Sequence, residues 1–248
     1  MTAVAPTILA TCGGLNPGTW TDSVYGPLVL EAIRLARVPS DRTPRVLHVN
    51  TAGGDQRFVE GQEVEASRIA GAHASHLRFF PKRNAQDLAA TVRDADVVWV
   101  SGGSLVNLLA VWRAHGLDEV LRDAWRNGVV LAGGSAGALC WHTGGVTTSF
   151  GPSASVVADG LGFVPGSLAV HYDSDESRAP AYEHGIATGV LAPGIALDEG
   201  TGVVFRDDGD GPALVDVVSE RTDGRVQSVE PTTDGRTVTR ALTPRILP

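Results

Sequence analysis

The sequence predicts an α/β fold built on a mostly parallel sheet with helices on both faces. Three observations carry that expectation: apolar runs of strand length recur up to Gly200, most are continuous rather than alternating, and segments with helical spacing separate them. A continuous run marks a strand covered on both faces, and strand alternating with helix is the pattern of parallel crossover connections.

In chain order the strand runs are PTILATC (6–12), RVLHVNT (45–51), DVVWVSG (96–102), GVVLAGG (128–134), SLAVHY (167–172) and GIALDEG (194–200). Between them, apolar residues returning every three or four positions predict helical segments over 23–38, 58–74, 84–95, 105–128 and 179–191. From about residue 202 the texture changes to short alternating runs, TGVVFRD, PALVDVVSE, GRVQSVEP and RTVTRAL, split by Asp-Gly turn signals at 208–209, 210–211, 223–224 and 234–235. These predict an antiparallel β extension over about 207–245, attached to a core of about 6–206 within a single domain spanning 1–248.

A chain of 248 residues with 43% hydrophobic content can bury a full core. The net charge of -8 provides no basic patch, which argues against nucleic acid and anionic membranes as partners. The segment MTAVAPTILATCGGLNPG lacks a basic start, an apolar stretch and a cleavage site, and no run approaches the ~20 residues of a membrane span, so the expected location is cytoplasmic. Cys12 and Cys140 belong to no CxxC motif or Cys/His cluster in the sequence, so neither a disulfide framework, a metal site nor a cofactor is expected. Exposed strand material after residue 202 allows a homodimer.

Ligands of open α/β sheets sit beyond the carboxyl ends of the strands. Three Gly-rich strand ends compete for that edge: Cys12-Gly13-Gly14, Ser101-Gly102-Gly103-Ser104 and Gly133-Gly134-Ser135. GGLNPG and SGGSLVN match neither GxxxxGK[ST] nor GxGxxG, which weakens a phosphate-cradling reading. Gly133-Gly134-Ser135-Ala136-Gly137 does satisfy G-x-S-x-G, between a buried strand and a short helix. Small neighbours suit a nucleophile on a strained, closely packed turn, and the Ala136 amide at the helix start can donate to an oxyanion. The alternative is a helix-capping serine.

A serine nucleophile needs a base. Of the seven histidines, His171 closes a strand and so falls on the carboxyl edge with Ser135, while His48 lies in an apolar strand and His73, His76, His115, His142 and His184 lie on or beside helical segments. For the carboxylate that orients the imidazole, Asp159, Asp173, Asp175, Glu176, Asp198 and Glu199 all remain open. Strand-end placement favours Asp198 or Glu199, and because strand residues alternate faces, one of that pair should point at the histidine.

Ser135-Ala136-Gly137-Ala138, with Ser101-Gly102-Gly103 before it and His171-Tyr172-Asp173 and Asp175-Glu176-Ser177-Arg178 after it, resembles the serine peptidase family of dipeptidase E (aspartyl dipeptidase) and cyanophycinase over roughly residues 7 to 206. The resemblance implies a class I glutamine amidotransferase-like fold in which Ser135 is the nucleophile, His171 the general base, and the amides of Gly103 and Ala136 the oxyanion hole. Gly194-Ile195-Ala196-Leu197-Asp198-Glu199 is similar to the cyanophycinase-type strand whose glutamate completes the triad, so the resemblance points to Glu199. It likewise implies that Arg178 grips an acidic group of the substrate, a task suited to the guanidinium fork. Two departures stand out: Thr147-Thr148-Ser149-Phe150 carries no acid where dipeptidase E has its triad aspartate, and Ser104 stands where the dipeptidase often has asparagine.

The expected function is therefore metal-independent hydrolysis of small peptides, with dipeptides bearing an N-terminal aspartate as the specific candidate. Two alternatives stay open: a non-catalytic member binding a small metabolite or protein partner, and a hydrolase of another amide or an ester. Glutamine amidotransfer fits less well, because the elbow carries serine instead of cysteine.

Overall fold

A computed structural model describes residues 5–248. Met1 to Val4, where the segment read for a leader begins, lie outside the described residues. The chain runs β1 (Thr7–Cys12), a hairpin of β2 (Leu15–Pro17) and β3 (Ser23–Tyr25), α1 (Pro27–Leu35), β4 (Arg45–Val49), a 3-10 turn (Thr51–Gly53) and α2 (Arg57–Ile69). It continues through β5 (His73–Leu77), α3 (Leu88–Arg93), β6 (Val97–Val100), α4 (Leu105–His115), α5 (Leu117–Arg126), β7 (Val130–Gly134) and the four-residue α6 (Ala136–Leu139). Then follow β8 (Gly144–Thr147), β9 (Ser155–Val157), β10 (Ser167–Ala169), α7 (Arg178–Ala187), β11 (Gly194–Leu197) and β12 (Thr201–Asp207). The last strands are β13 (Pro212–Ser219), β14 (Val226–Pro231), β15 (Thr237–Leu242) and β16 (Arg245–Ile246).

The large sheet has the order β16-β13-β12-β1-β7-β6-β4-β5 and is parallel from β1 to β5. Every residue of β1, β6 and β7 is buried, as continuous apolar runs require. Alternation still sorts their side chains. Ile8, Ala10, Val98 and Val100 join a core with Leu108, Trp112, Leu121 and Leu168. Leu9, Val97, Trp99 and Val130 face the other way, onto Leu28 and Ala32 of α1 and Ala66 of α2.

The predicted fold class stands, with a division that the sequence pattern does not reveal. SLAVHY and GIALDEG do not extend the large sheet; they form β10 and β11 of a second sheet, ordered β15-β14-β11-β10-β8-β9. This sheet packs Leu168 and Leu197 into the shared core and turns Ala169 and Ala196 toward Tyr182 and Ile186 of α7. The antiparallel extension is likewise divided, β13 and β16 continuing the large sheet while β14 and β15 continue the second.

Other boundaries moved for local reasons. His73–Leu77, whose first two residues fall in the segment read as helical, is β5, an edge strand whose polar, half-exposed composition hides it. The segment over 105–128 is two helices because Gly116 takes the left-handed conformation, at φ 69°, and breaks it. Ser23–Tyr25 pairs as β3, and the helix after it starts at Pro27, where a missing amide hydrogen does no harm. Among the described residues, no helix is long and apolar enough to cross a membrane.

Trp112 ties this core to the loops above the sheet. It is fully buried beside Trp141, and its indole Nε1 donates to Thr51 Oγ1 at 3.1 Å. Trp112→Ala should lower the unfolding free energy by about 3 to 5 kcal/mol in urea denaturation.

Candidate active site

Ser135 sits between β7 and α6 with φ 56° and ψ -118°, outside the regions that side-chain-bearing residues favour. Two nearby positions, 134 and 137, must be glycine for a reason of space. A Cβ on Gly134 would collide with the Gly13 carbonyl, and one on Gly137 with the Val100 carbonyl. The Ser135 amide donates to Thr11 O at 3.1 Å, while its own carbonyl accepts from Ala138 and Leu139. Ala136 opens α6, so its amide is among those that a first turn leaves without an intrahelical partner.

His171 follows β10 and has φ 58°. Its Nε2 lies 2.9 Å from Ser135 Oγ, and its Nδ1 makes a short hydrogen bond with Glu199 Oε1. Glu199 Oε1 also accepts from Ser174 Oγ at 2.9 Å. Burial alone would push the Glu199 carboxyl up, but the His171 ring, the Ser174 hydroxyl and the Cys12 thiol hold it below the ordinary carboxylate value.

The other acids considered from sequence have different partners. Asp198 is buried on the opposite face, where its Oδ2 accepts from the backbone and side chain of Arg225. Asp173 holds the Glu199 amide at 2.9 Å. Asp159 pairs with Arg113 at the surface, and Asp175 with Ser177 and Arg178.

Gly103, with φ 138°, lies against the 3-10 turn so closely that a Cβ would collide with the Ala52 carbonyl, and the next amide, of Ser104, donates to that carbonyl at 2.9 Å. Arg178 requires a correction. Its guanidinium is buried, with Nε bound to Asp175 at 2.9 Å and Nη1 bound to the Val146 carbonyl at 2.9 Å. It does not line the cavity over Ser135, because those bonds turn it inward to join the start of α7 to β8.

That cavity, of about 360 Å³, is bounded by Gly13, Gly14, Val59, Glu63, Trp99, Ser101 and Gly102 around Ser135, His171 and Glu199. Larger concavities of about 570 and 680 Å³ lie elsewhere, but no nucleophile stands beside a base in either. None of the residues lining this cavity is Lys or Arg.

Two residues that carry no assigned role in the sequence reading complete the site, one of them in the Cys12-Gly13-Gly14 strand end expected at this edge. Cys12, at the end of β1, is fully buried: its Sγ accepts from the His171 amide at 3.2 Å and lies 3.4 Å from Glu199 Oε2 and 3.5 Å from His171 Nδ1. Burial, followed by the Glu199 charge, pushes this thiol far up, so it is protonated at neutral pH. Folding thus creates a Cys/His/Glu cluster from positions far apart in the chain, and among the described residues it is the group of donors suited to a metal ion.

The other is Glu63 of α2, an acid on the buried face of its helix together with Ala66, and that placement is the sequence signal for it. Its Oε2 accepts from Asn50 Nδ2 at 2.8 Å and lies 3.0 Å from His76 Nε2, while Oε1 accepts from Ser101 Oγ at 3.3 Å and lies 3.2 Å from His48 Nδ1. Tyr25 Oη closes the network at 2.7 Å from His48 Nε2. Burial would push Glu63 up, but the two imidazoles and Asn50 bring it down to about 2.

This geometry can be set beside known proteins. The family model described as Peptidase family S51 matches residues 21–210. The chain belongs to peptidase family S51. The chain is also 40% identical over 186 residues to the uncharacterized peptidase YgaJ of Bacillus subtilis (strain 168), covering 75% of this chain and 78% of that protein. A peptidase structure from an acI-B1 Actinobacterium superposes with a TM-score of 0.66 at 18% identity, covering 97% of this chain and 95% of the other. A candidate peptidase E from Listeria monocytogenes EGD-e gives 0.55 at 16% identity, covering 84% and 97%. At those identities the two structures speak to the fold, and the family assignment rests on the sequence matches.

For this S51 peptidase the Glu63 network has a measurable consequence. Its carboxyl lies below its ordinary 4.5 in the folded chain, so the stability it contributes is complete above that pH and is lost as pH falls toward about 2. Between pH 5 and pH 2, urea unfolding of the wild type should lose on the order of 3 kcal/mol more than that of Glu63→Gln.

Proposed function

We propose that the protein is a serine peptidase of small peptides working through a Ser135-His171-Glu199 triad. The observation that carries this reading is the continuous chain of contacts from Ser135 Oγ to His171 Nε2, at 2.9 Å, and from His171 Nδ1 to Glu199, on the wall of one cavity. His171 takes the serine proton as Oγ attacks the peptide carbonyl, then returns it to the leaving amine. Glu199, ionised at neutral pH, fixes the tautomer with Nδ1 protonated and stabilises the imidazolium. The amides of Ala136 and Gly103 receive the oxyanion. No step calls on a metal.

A cavity of about 360 Å³ is at the small end of ligand pockets, which suits dipeptides and tripeptides. An N-terminal aspartate would need a cation to meet its side chain, and with Arg178 turned inward the cavity walls offer carboxylates instead. We therefore infer a preference for neutral N-terminal side chains over acidic ones.

Ser135→Ala should keep the circular dichroism spectrum and lower kcat by on the order of a thousandfold or more. With EDTA present, the wild type should turn over Leu-Leu with a kcat/KM at least equal to that for Asp-Leu. Turnover of Asp-Leu alone would restore aspartyl specificity, and no turnover of any small peptide by folded wild type would overturn the peptidase mechanism.

A further inference from the structure

We propose that Cys12, His171 and Glu199 form an inhibitory site for a soft divalent cation of the Zn2+ class. The proposal rests on the triad reading for its effect on catalysis, and on the cluster's own geometry for binding. Each residue offers one donor atom, and the three donors lie within 4.8 Å of one another. In a tetrahedral zinc site, with Zn–S of about 2.3 Å and Zn–N and Zn–O of about 2.0 to 2.2 Å, neighbouring donors stand roughly 3.5 Å apart. Cys12 Sγ stands 3.5 Å from His171 Nδ1 and 3.4 Å from Glu199 Oε2. Two edges of the tetrahedron are therefore already in place. The third runs from His171 Nδ1 to the same Glu199 Oε2, so binding gives up the hydrogen bond between Nδ1 and the other oxygen, Oε1, and both side chains are partly exposed at the cavity.

The donor set also selects the ion. Thiolate with imidazole suits Zn2+ and Cd2+ and disfavours Mg2+ and Ca2+, which take oxygen ligands. Asp173 adds a second negative charge beside the cluster without taking a place in it. Three protein ligands leave the fourth position to water from the cavity.

Inhibition follows from proton placement. The working tautomer carries its proton on Nδ1, toward Glu199, and leaves Nε2 to accept from Ser135. A cation on Nδ1 takes that nitrogen's lone pair, so the imidazole proton moves to Nε2, where it faces Ser135 Oγ and removes the base. The Cys12 thiol gives its proton to solvent on ligation, and Glu199 is already ionised, so one proton leaves the protein for each cation bound. The serine stays chemically intact, and a chelator restores activity.

The test is a titration of the full-length protein with CdCl2, followed by the ultraviolet charge-transfer band of a cadmium thiolate, alongside ZnCl2 inhibition of peptide hydrolysis. Wild type and Ser135→Ala should both develop the band, and Cys12→Ala should not, although Cys140 is still present. Cys12→Ser, which keeps a hydrogen-bonding group but removes the soft ligand, serves if Cys12→Ala folds poorly. ZnCl2 should inhibit the wild type reversibly with EDTA, and each Cys12 variant, measured against its own uninhibited rate, should need at least about tenfold more. A wild type without the cadmium band, or Cys12 variants as sensitive to zinc as the wild type, would overturn the site. Because the band is read without substrate and persists in Ser135→Ala, a failure of the triad reading shows separately, as absent peptide turnover with cadmium binding intact.

Discussion

The site depends on holding Ser135 in a backbone conformation that an L-residue avoids. A residue in such a region costs on the order of 1 to 3 kcal/mol and persists only where its surroundings over-determine it. Here they do. β7 is hydrogen-bonded between β1 and β6, the Ser135 amide is bound to Thr11, and the Thr11 hydroxyl holds the Gly133 carbonyl at 3.0 Å. Backbone approaches at Gly134 and Gly137 leave no room for side chains, so β1, β6 and α6 close around the turn from three directions. The result is a hydroxyl aimed into a cavity whose position is set by the large sheet.

The histidine is positioned by a different sheet, so the two halves of the site must be registered against each other. Cys12 and the segment next to Glu199 provide that registration. The Cys12 carbonyl accepts from the Gly200 amide and its thiol accepts from the His171 amide, so the last residue of β1 touches the segments that follow both strands leading to His171 and Glu199. The Tyr172 amide then binds the Leu197 carbonyl, keeping the His171 and Glu199 segments parallel. A thiol suits this junction because it is small, buried without a charge, and still able to accept a hydrogen bond.

What was legible in the sequence follows from the range of each interaction. Ser135 could be read because its signal is local: glycines, an apolar strand before and a short helix after. His171 is legible as a strand end, and although its strand belongs to another sheet it meets Ser135 because carboxyl ends from both sheets converge on the cavity. The choice between Asp198 and Glu199 needed alternation together with family resemblance, and the structure turns Asp198 toward Arg225 and Glu199 toward the ring. The inward turn of Arg178 is not legible, because motif spacing says nothing about where a guanidinium points. Cys12 is legible as part of a strand end at the ligand edge, but its contacts are not, since the partners lie 159 and 187 residues away along the chain. The division into two sheets was hidden for a similar reason: a buried strand has the same apolar run whichever sheet it joins.

The charge of the cavity places a further demand on its amides. Glu199 and Glu63 both face it as carboxylates, and neither Lys nor Arg lines it to offset them. In the proposed mechanism such a field favours the imidazolium on His171 but opposes the negative charge that would develop on the substrate oxygen. That charge has to be met at short range by oriented amides, which act only if they do not move. The Gly103 segment is suited to this. It is fastened through the Ser104 amide to Ala52, the neighbouring Thr51 is held by Trp112 from the core, and Ser101 is held by Glu63 from the other side. The buried acid network and the tryptophan core thus act on the same loop, and under the proposed mechanism its rigidity would compensate for a cavity whose net charge is unfavourable to the oxyanion.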